Sequence, residues 1–208
     1  MDEIISKSLA KGISYTDYTN LVSNLVAEGK STGLNQSDDL LNYSKLNDRR
    51  MKRLLKTLKI DVSSEEFIAN VSQEQQWILI TESWCGDAAQ STPMIHKVAE
   101  ASDKIDLTVV LRDENSELMN EFLTNGNQAI PKLIVLNKHT NEVIDSWGPR
   151  PSTATKMVAE YKDANGALDA QFKEDLQKWY NKDKGINTLE DLKKMLQNIE
   201  AKKLKKAS

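Results

Sequence analysis

Trp77-Ile-Leu-Ile80 is a short apolar run bounded by polar residues, the pattern of a strand buried on both faces. Ile105 to Leu111 is β-rich and predicts a second central strand. Lys132 to Leu136 predicts a third, joined through polar 137–142 to a fourth over Val143 to Trp147. Between the strands the period changes. From Ala88 to Ala101, apolar Pro93, Met94, Ile95, Val98 and Ala99 interleave with polar Gln90, His96, Lys97 and Glu100 at helical spacing. A shorter helix is predicted over Glu117 to Phe122, with Leu118, Met119, Phe122 and Leu123 inward, followed by a turn at Asn125-Gly126-Asn127. Strand, helix, strand, helix and hairpin predict an α/β fold around a mixed sheet with a parallel centre. Right-handed crossover puts the end of the first strand at the carboxyl edge, where open α/β sheets bind ligands.

Both flanks read as helical. Tyr18, Leu21, Val22, Leu25 and Val26 recur at spacings of three and four behind the capping candidates Ser14 to Asp17. Asp38 or Asp39 starts a second pattern with Leu40, Leu41 and Tyr43, continued by Met51, Leu54, Leu55 and Leu58. Ser63 and Ser64 open a third. After Gly148-Pro149-Arg150-Pro151, Ser152 or Thr153 caps a helix with Met157, Val158 and Tyr161 inward. An amphipathic segment covers Leu168 to Tyr180, and Thr188 caps a last one with Leu189, Leu192, Leu196 and Ile199. The organisation read from this is a helical N-terminal extension over 1–62, a central domain over 63–162 and a helical C-terminal extension over 163–208.

Composition narrows the function classes. The chain has 208 residues, 39% hydrophobic and 28% charged, with net charge -3, so no global attraction to nucleic acid is expected. No apolar run reaches the roughly 20 residues that span a bilayer, and the first residues lack a secretory pattern. No membrane partner is therefore expected. One cysteine, Cys85, forbids an intrachain disulfide and fits a reducing, cytoplasmic setting. No Cys/His cluster suggests a metal, and no cofactor is implied. Arg49, Arg50, Lys52, Arg53, Lys56 and Lys59 give one helix a basic face, read as a solvated surface or an attractor of anionic substrate. The tail Lys202 to Lys206 is also basic, and solubility is its default reading. Oligomeric state is left open.

Cys85 lies between a strand end and a helix start, where N–H groups without intrahelical partners favour a thiolate, so a modestly lowered pKa is expected. Asp87 and Glu82 act against that. Trp84-Cys85-Gly86-Asp87-Ala88 resembles the thioredoxin active-site segment, Trp-Cys-Gly-x-Cys at a helix start. Pro93 falls where that family carries a helix proline. Ala129-Ile130-Pro131 into Lys132–Leu136 resembles its cis-proline loop, and Asn141 to Val143 and Gly148 match a hairpin turn and a later glycine. The resemblance covers roughly residues 65 to 160 and implies a thioredoxin-like fold, with Cys85 as the catalytic residue and Trp84, Gly86, Asp87, Ile130 and Pro131 as the substrate-binding set.

Two positions depart from the pattern. Ala88 replaces the second cysteine, removing the resolving thiol. Leu79 stands where many thioredoxins bury an aspartate. The resemblance therefore implies a monothiol variant exchanging with a protein or low-molecular-weight thiol or disulfide, or else a non-catalytic module holding a peptide or protein in the cis-proline groove. Glu82 occupies the position at which a peroxiredoxin carries threonine, which argues against that chemistry.

Overall fold

The predicted strand runs form four strands, β1 Gln75–Thr81, β2 Ile105–Leu111, β3 Lys132–Asn137 and β4 Val143–Trp147, in the order β2-β1-β3-β4. The computed structural model describes residues 1–207, with side chains as far as Lys203. The basic tail's side chains beyond Lys203 lie outside the described residues. Trp77, Leu79, Leu133 and Val135 face one side of the sheet, and Ile78, Ile80, Ile134 and Leu136 the other. Burial of both faces explains why β1 reads as a continuous apolar run rather than an alternating one.

Helices α1 Asp2–Lys11, α2 Tyr15–Ala27, α3 Asp38–Thr57 and α4 Val62–Ala69 precede the sheet. Helix α5 Gly86–Glu100 links β1 to β2, and α6 Ser116–Glu121 follows β2. The chain closes with α7 Ser152–Asn165, α8 Ala170–Asp183 and α9 Ile186–Ala207. Residues of α2, α3, α5 and α9 share the larger core, with Tyr18, Met51, Ile95 and Leu192 all buried. Ile5 of α1 and Leu118 of α6 cover the other face. Helices α7 and α8 form an apolar cluster of their own around Phe172, Leu176 and Val158.

The sheet is mixed, but its centre is not parallel. β1 and β2 are the parallel pair, and β1 runs antiparallel to its other neighbour, β3. The reason is length: after β2, the six-residue α6 and a loop leave the chain at the end of the sheet it has reached, so β3 runs back. That return puts Ile130–Pro131 beside the carboxyl end of β1, with Ile80 paired to Lys132.

Several local expectations shift. The buried stripe of α3 is Ser44, Asn47, Asp48, Met51 and Leu54, while Tyr43 is 54% exposed. Leu123 is exposed because α6 ends at Glu121 and the chain turns into the Thr124–Asn127 bridge. Asp61, ahead of the serines, caps α4 by accepting from Ser64 N at 3.0 Å. Neither Ser152 nor Thr153 caps α7 with its side chain. Instead, Asp191 Oδ2 of α9 accepts from Ser152 N at 2.7 Å, and Asn187 Oδ1 from Thr153 N at 2.8 Å. Thr188 is buried inside α9, which begins at Ile186 directly after left-handed Lys184 and Gly185.

Candidate active site

The turn leading out of β1 is built from buried polar residues. Ser83 N donates to Thr32 Oγ1 at 2.8 Å, and Thr32 N donates to Ser83 Oγ at 3.0 Å. Ser83 Oγ also meets Ser44 Oγ at 2.6 Å, and Asn47 Nδ2 donates to the Ser83 carbonyl at 2.8 Å. All four residues are buried, so each partner satisfies a group that would otherwise cost about 1–3 kcal/mol. The N-terminal helices thus fix the backbone that presents Trp84 and Cys85. Sequence reasoning missed this set. Its signal was polar Ser44 and Asn47 at helical spacing with Met51 and Leu54, where an apolar stripe would be expected.

Cys85 is the N-cap of α5: its Sγ accepts from Ala88 N at 3.4 Å. The same sulfur donates to the Ile130 carbonyl at 3.2 Å. The structure therefore brings Cys85 to the loop before β3, where the Ile130–Pro131 bond is cis. Gly148, φ +116°, closes the other side of that loop; a Cβ there would collide with the Pro131 carbonyl oxygen. Trp84 is partly buried against the Ile78–Ile134 face, with Arg112 Cζ 4.7 Å from its ring centroid. Arg112 is held by Asp113 Oδ1, at 2.7 Å from Nη2.

The electrostatics contradict the expectation of a lowered cysteine pKa. Burial is the main cause and the Asp87 carboxylate the second; together they push the Cys85 thiol up to about 12, against the Ala88 and Asp87 N–H groups and Arg150. The helix-terminus argument counted the N–H groups but not the desolvation, which here outweighs them. Asp87 sits in the first turn of α5. Arg150 Nη2 lies 2.7 Å from its Oδ2, and Tyr180 Oη donates to its Oδ1 at 2.9 Å. Its side chain is only 12% exposed, and burial raises its pKa although Arg150 and Tyr180 pull the other way. Arg112, over the Trp84 ring, and Arg150, on Asp87, both reach the site.

Tyr180 belongs to α8, which the sequence did not connect to the site. Its neighbour Gln177 Oε1 accepts from Gln90 Nε2 at 3.0 Å, and Gln177 Nε2 lies 3.5 Å from where a Cβ on Gly86 would stand. Asn181 Oδ1 accepts from Arg53 Nη2 at 2.8 Å. Helix α8 therefore lies over the first turn of α5 and holds it through polar side chains. Leu79, at the position of the family's buried aspartate, is packed in the larger core and offers no proton acceptor. Glu82 is fully buried: Oε1 accepts from Asp113 N at 3.0 Å, Oε2 has no partner among the described residues, and burial raises its pKa. Among the described residues no group of His, Cys, Asp and Glu is placed to hold a metal ion, and no helix is long and apolar enough to cross a membrane.

A family model described as Thioredoxin matches residues 33–162. The match includes Asn47, Cys85, Pro131 and Arg150, and ends before α8. Among solved structures, the chain is similar to a protein of unknown function from Pseudomonas aeruginosa, with TM-score 0.56 and 13% identity, over 89% of this chain and 98% of that one. An HIV epitope-scaffold gives the same TM-score of 0.56 and 13% identity, over 89% and 99% of the two chains. At that identity the likeness is one of fold. No curated protein matches the chain significantly.

Proposed function

The chain belongs to the thioredoxin family, and we propose that it exchanges thiols and disulfides through one sulfur, Cys85 Sγ. The observation that carries this reading is the 3.2 Å contact of that sulfur with the Ile130 carbonyl, at the N-terminus of α5. The cysteine faces the loop against which an extended substrate can lie, adding main-chain hydrogen bonds. Trp84, Gly86, Asp87, Ile130 and Pro131 surround it as the substrate-binding set.

The step is a nucleophilic exchange. The Cys85 thiolate attacks one sulfur of a substrate disulfide. A new S–S bond forms, the old one breaks, and the departing thiolate takes up the proton that Cys85 lost. A second thiol from solution then attacks the substrate sulfur held on Cys85, restoring the Cys85 thiol and leaving as a new mixed disulfide with that half; the departed half has been reduced to a thiol and the external thiol oxidised. With Ala88 in place of a resolving cysteine, the external thiol is obligatory, and a reducing compartment such as the cytoplasm supplies it. Burial and the neighbouring Asp87 keep the resting thiol protonated, and in this reading exchange proceeds when α8, which is tied to Asp87 through Tyr180, moves off the first turn of α5. The separate apolar cluster of α7 and α8 supports such movement, since α8 reaches α5 through Tyr180 and Gln177.

A second reading keeps the fold as a non-catalytic binding module for a peptide or protein. The burial that raises the Cys85 pKa favours it. Turnover separates the two. With bis(2-hydroxyethyl) disulfide as substrate and excess 2-mercaptoethanol carrying an isotope label, exchange above the uncatalysed rate that vanishes in Cys85→Ser supports the exchange reading. Equal rates with and without the protein support the binding module.

A further inference from the structure

Two guanidinium groups, those of Arg150 and Arg50, reach the first turn of α5, with Arg53 close to Arg50, and of the three only Arg150 meets a carboxylate among the described residues. Arg150 pairs with Asp87, yet its buried Nε has no partner among the described residues. Arg53 donates to the neutral Asn181. Arg50 is partly buried; its Nη1 donates to Asn47 Oδ1 at 3.0 Å and lies 3.9 Å from where a Cβ on Gly86 would stand. Among the described residues, neither Arg50 nor Arg53 has a carboxylate within ion-pair distance. The neighbouring cation Lys52, by contrast, is matched by Asp48 at 2.8 Å.

Arg50 is not a loose surface charge. Asn47 is fully buried and clamped to the Ser83 carbonyl, and it holds the guanidinium beside the residue that follows Cys85. A partly buried cation without a counter-charge is costly, and burial and nearby Arg53 both lower the Arg50 pKa. One carboxylate would relieve that cost. A guanidinium binds a carboxylate through two parallel N–H···O bonds, and Arg50 uses one donor internally, leaving others to offer.

We propose that the thiol or disulfide exchanging at Cys85 carries a carboxylate, and that Arg50 seats it as a specificity-determining residue. The inference rests on the exchange reading and adds the substrate's charge: an acidic low-molecular-weight thiol, or a cysteine flanked by acidic side chains in a protein. The basic face of α3, read from the sequence as a solvated surface or an attractor of anionic substrate, acquires a partner in this way.

The test compares initial rates of mixed-disulfide formation at Cys85 with dithiodipropionate (anionic), bis(2-hydroxyethyl) disulfide (neutral) and cystamine (cationic). The native protein is expected to favour the anion about tenfold over the neutral disulfide and to disfavour the cation, as expected for about one charge-assisted contact. In Arg50→Gln the anionic-to-neutral ratio should fall toward one, and Arg50→Lys should restore part of it. If Arg50→Gln fails to fold, rising salt on the native protein must collapse the same ratio. Equal native rates for all three disulfides, or a ratio unmoved by both Arg50→Gln and salt, overturn this inference alone. No reaction with any of the three overturns the exchange reading beneath it. An acidic peptide carrying a mixed disulfide tells the sources apart: a faster rate than dithiodipropionate assigns the carboxylate to a protein, a slower one to a small thiol.

Discussion

Tyr180 Oη donates a 2.9 Å hydrogen bond to Asp87 Oδ1, tying α8 to the turn that begins at the only cysteine. The bond spans 93 residues of sequence and joins a segment beyond the family match to one within it. Through Asp87, whose charge is the second cause of the raised Cys85 pKa, it links α8 to the surroundings of the cysteine.

Tyr180→Phe removes that bond and keeps the ring in the α7–α8 cluster. Losing a hydrogen bond to a carboxylate, at about 1.5 kcal/mol, should raise the open population roughly tenfold. Iodoacetamide alkylation of Cys85 at neutral pH should accelerate by up to that factor, read by intact mass.

Cys85 is pushed up to about 12, first by burial and then by the Asp87 charge. Its alkylation rate should therefore climb through pH 10 without a plateau. Asp87→Asn removes the like charge and frees Arg150, so the rise should move to lower pH. Because the folded pKa lies above the unfolded one, the cysteine's stability contribution is intact at neutral pH. It is lost as pH rises through the folded value. Cys85→Ser should flatten that alkaline part of a urea-stability profile.

Glu82 is buried with one oxygen unpartnered, and its pKa is raised by burial. Folding therefore favours the protonated acid, and the ionised form costs stability above its folded pKa. Glu82→Gln should stabilise the protein at pH 7 by about 1 kcal/mol, with the gain shrinking as pH falls and the native carboxyl protonates. Urea midpoints at pH 7 and pH 4 check it.

Asn47→Ala removes the donor to the Ser83 carbonyl and the acceptor for Arg50. A loss of about 2 kcal/mol is expected in urea unfolding, from a buried carbonyl left unpaired.

The strands and the crossover helix were legible because apolar period carries them, while the meeting of Cys85 with the Ile130–Pro131 loop was legible only through the resemblance to thioredoxins. The antiparallel centre was not, since α6 reads as a helix whatever its length allows the chain to do next. The turn before Cys85 was invisible for a different reason: Thr32, Ser44 and Asn47 are ordinary polar residues until the fold buries them around Ser83. The cysteine's acidity was misjudged because a helix N-terminus shows in sequence and desolvation does not. Nothing near Tyr180 or Gln177 marked them as neighbours of residues 86–90; that contact exists only through the folding of α7 and α8.

Intact-mass analysis of the native protein after incubation with bis(2-hydroxyethyl) disulfide is the most direct test of whether Cys85 exchanges. The account predicts one adduct, located at Cys85, formed faster in Tyr180→Phe and removed by excess 2-mercaptoethanol. No adduct on either folded protein, under conditions where the urea-unfolded chain is fully modified, would contradict it.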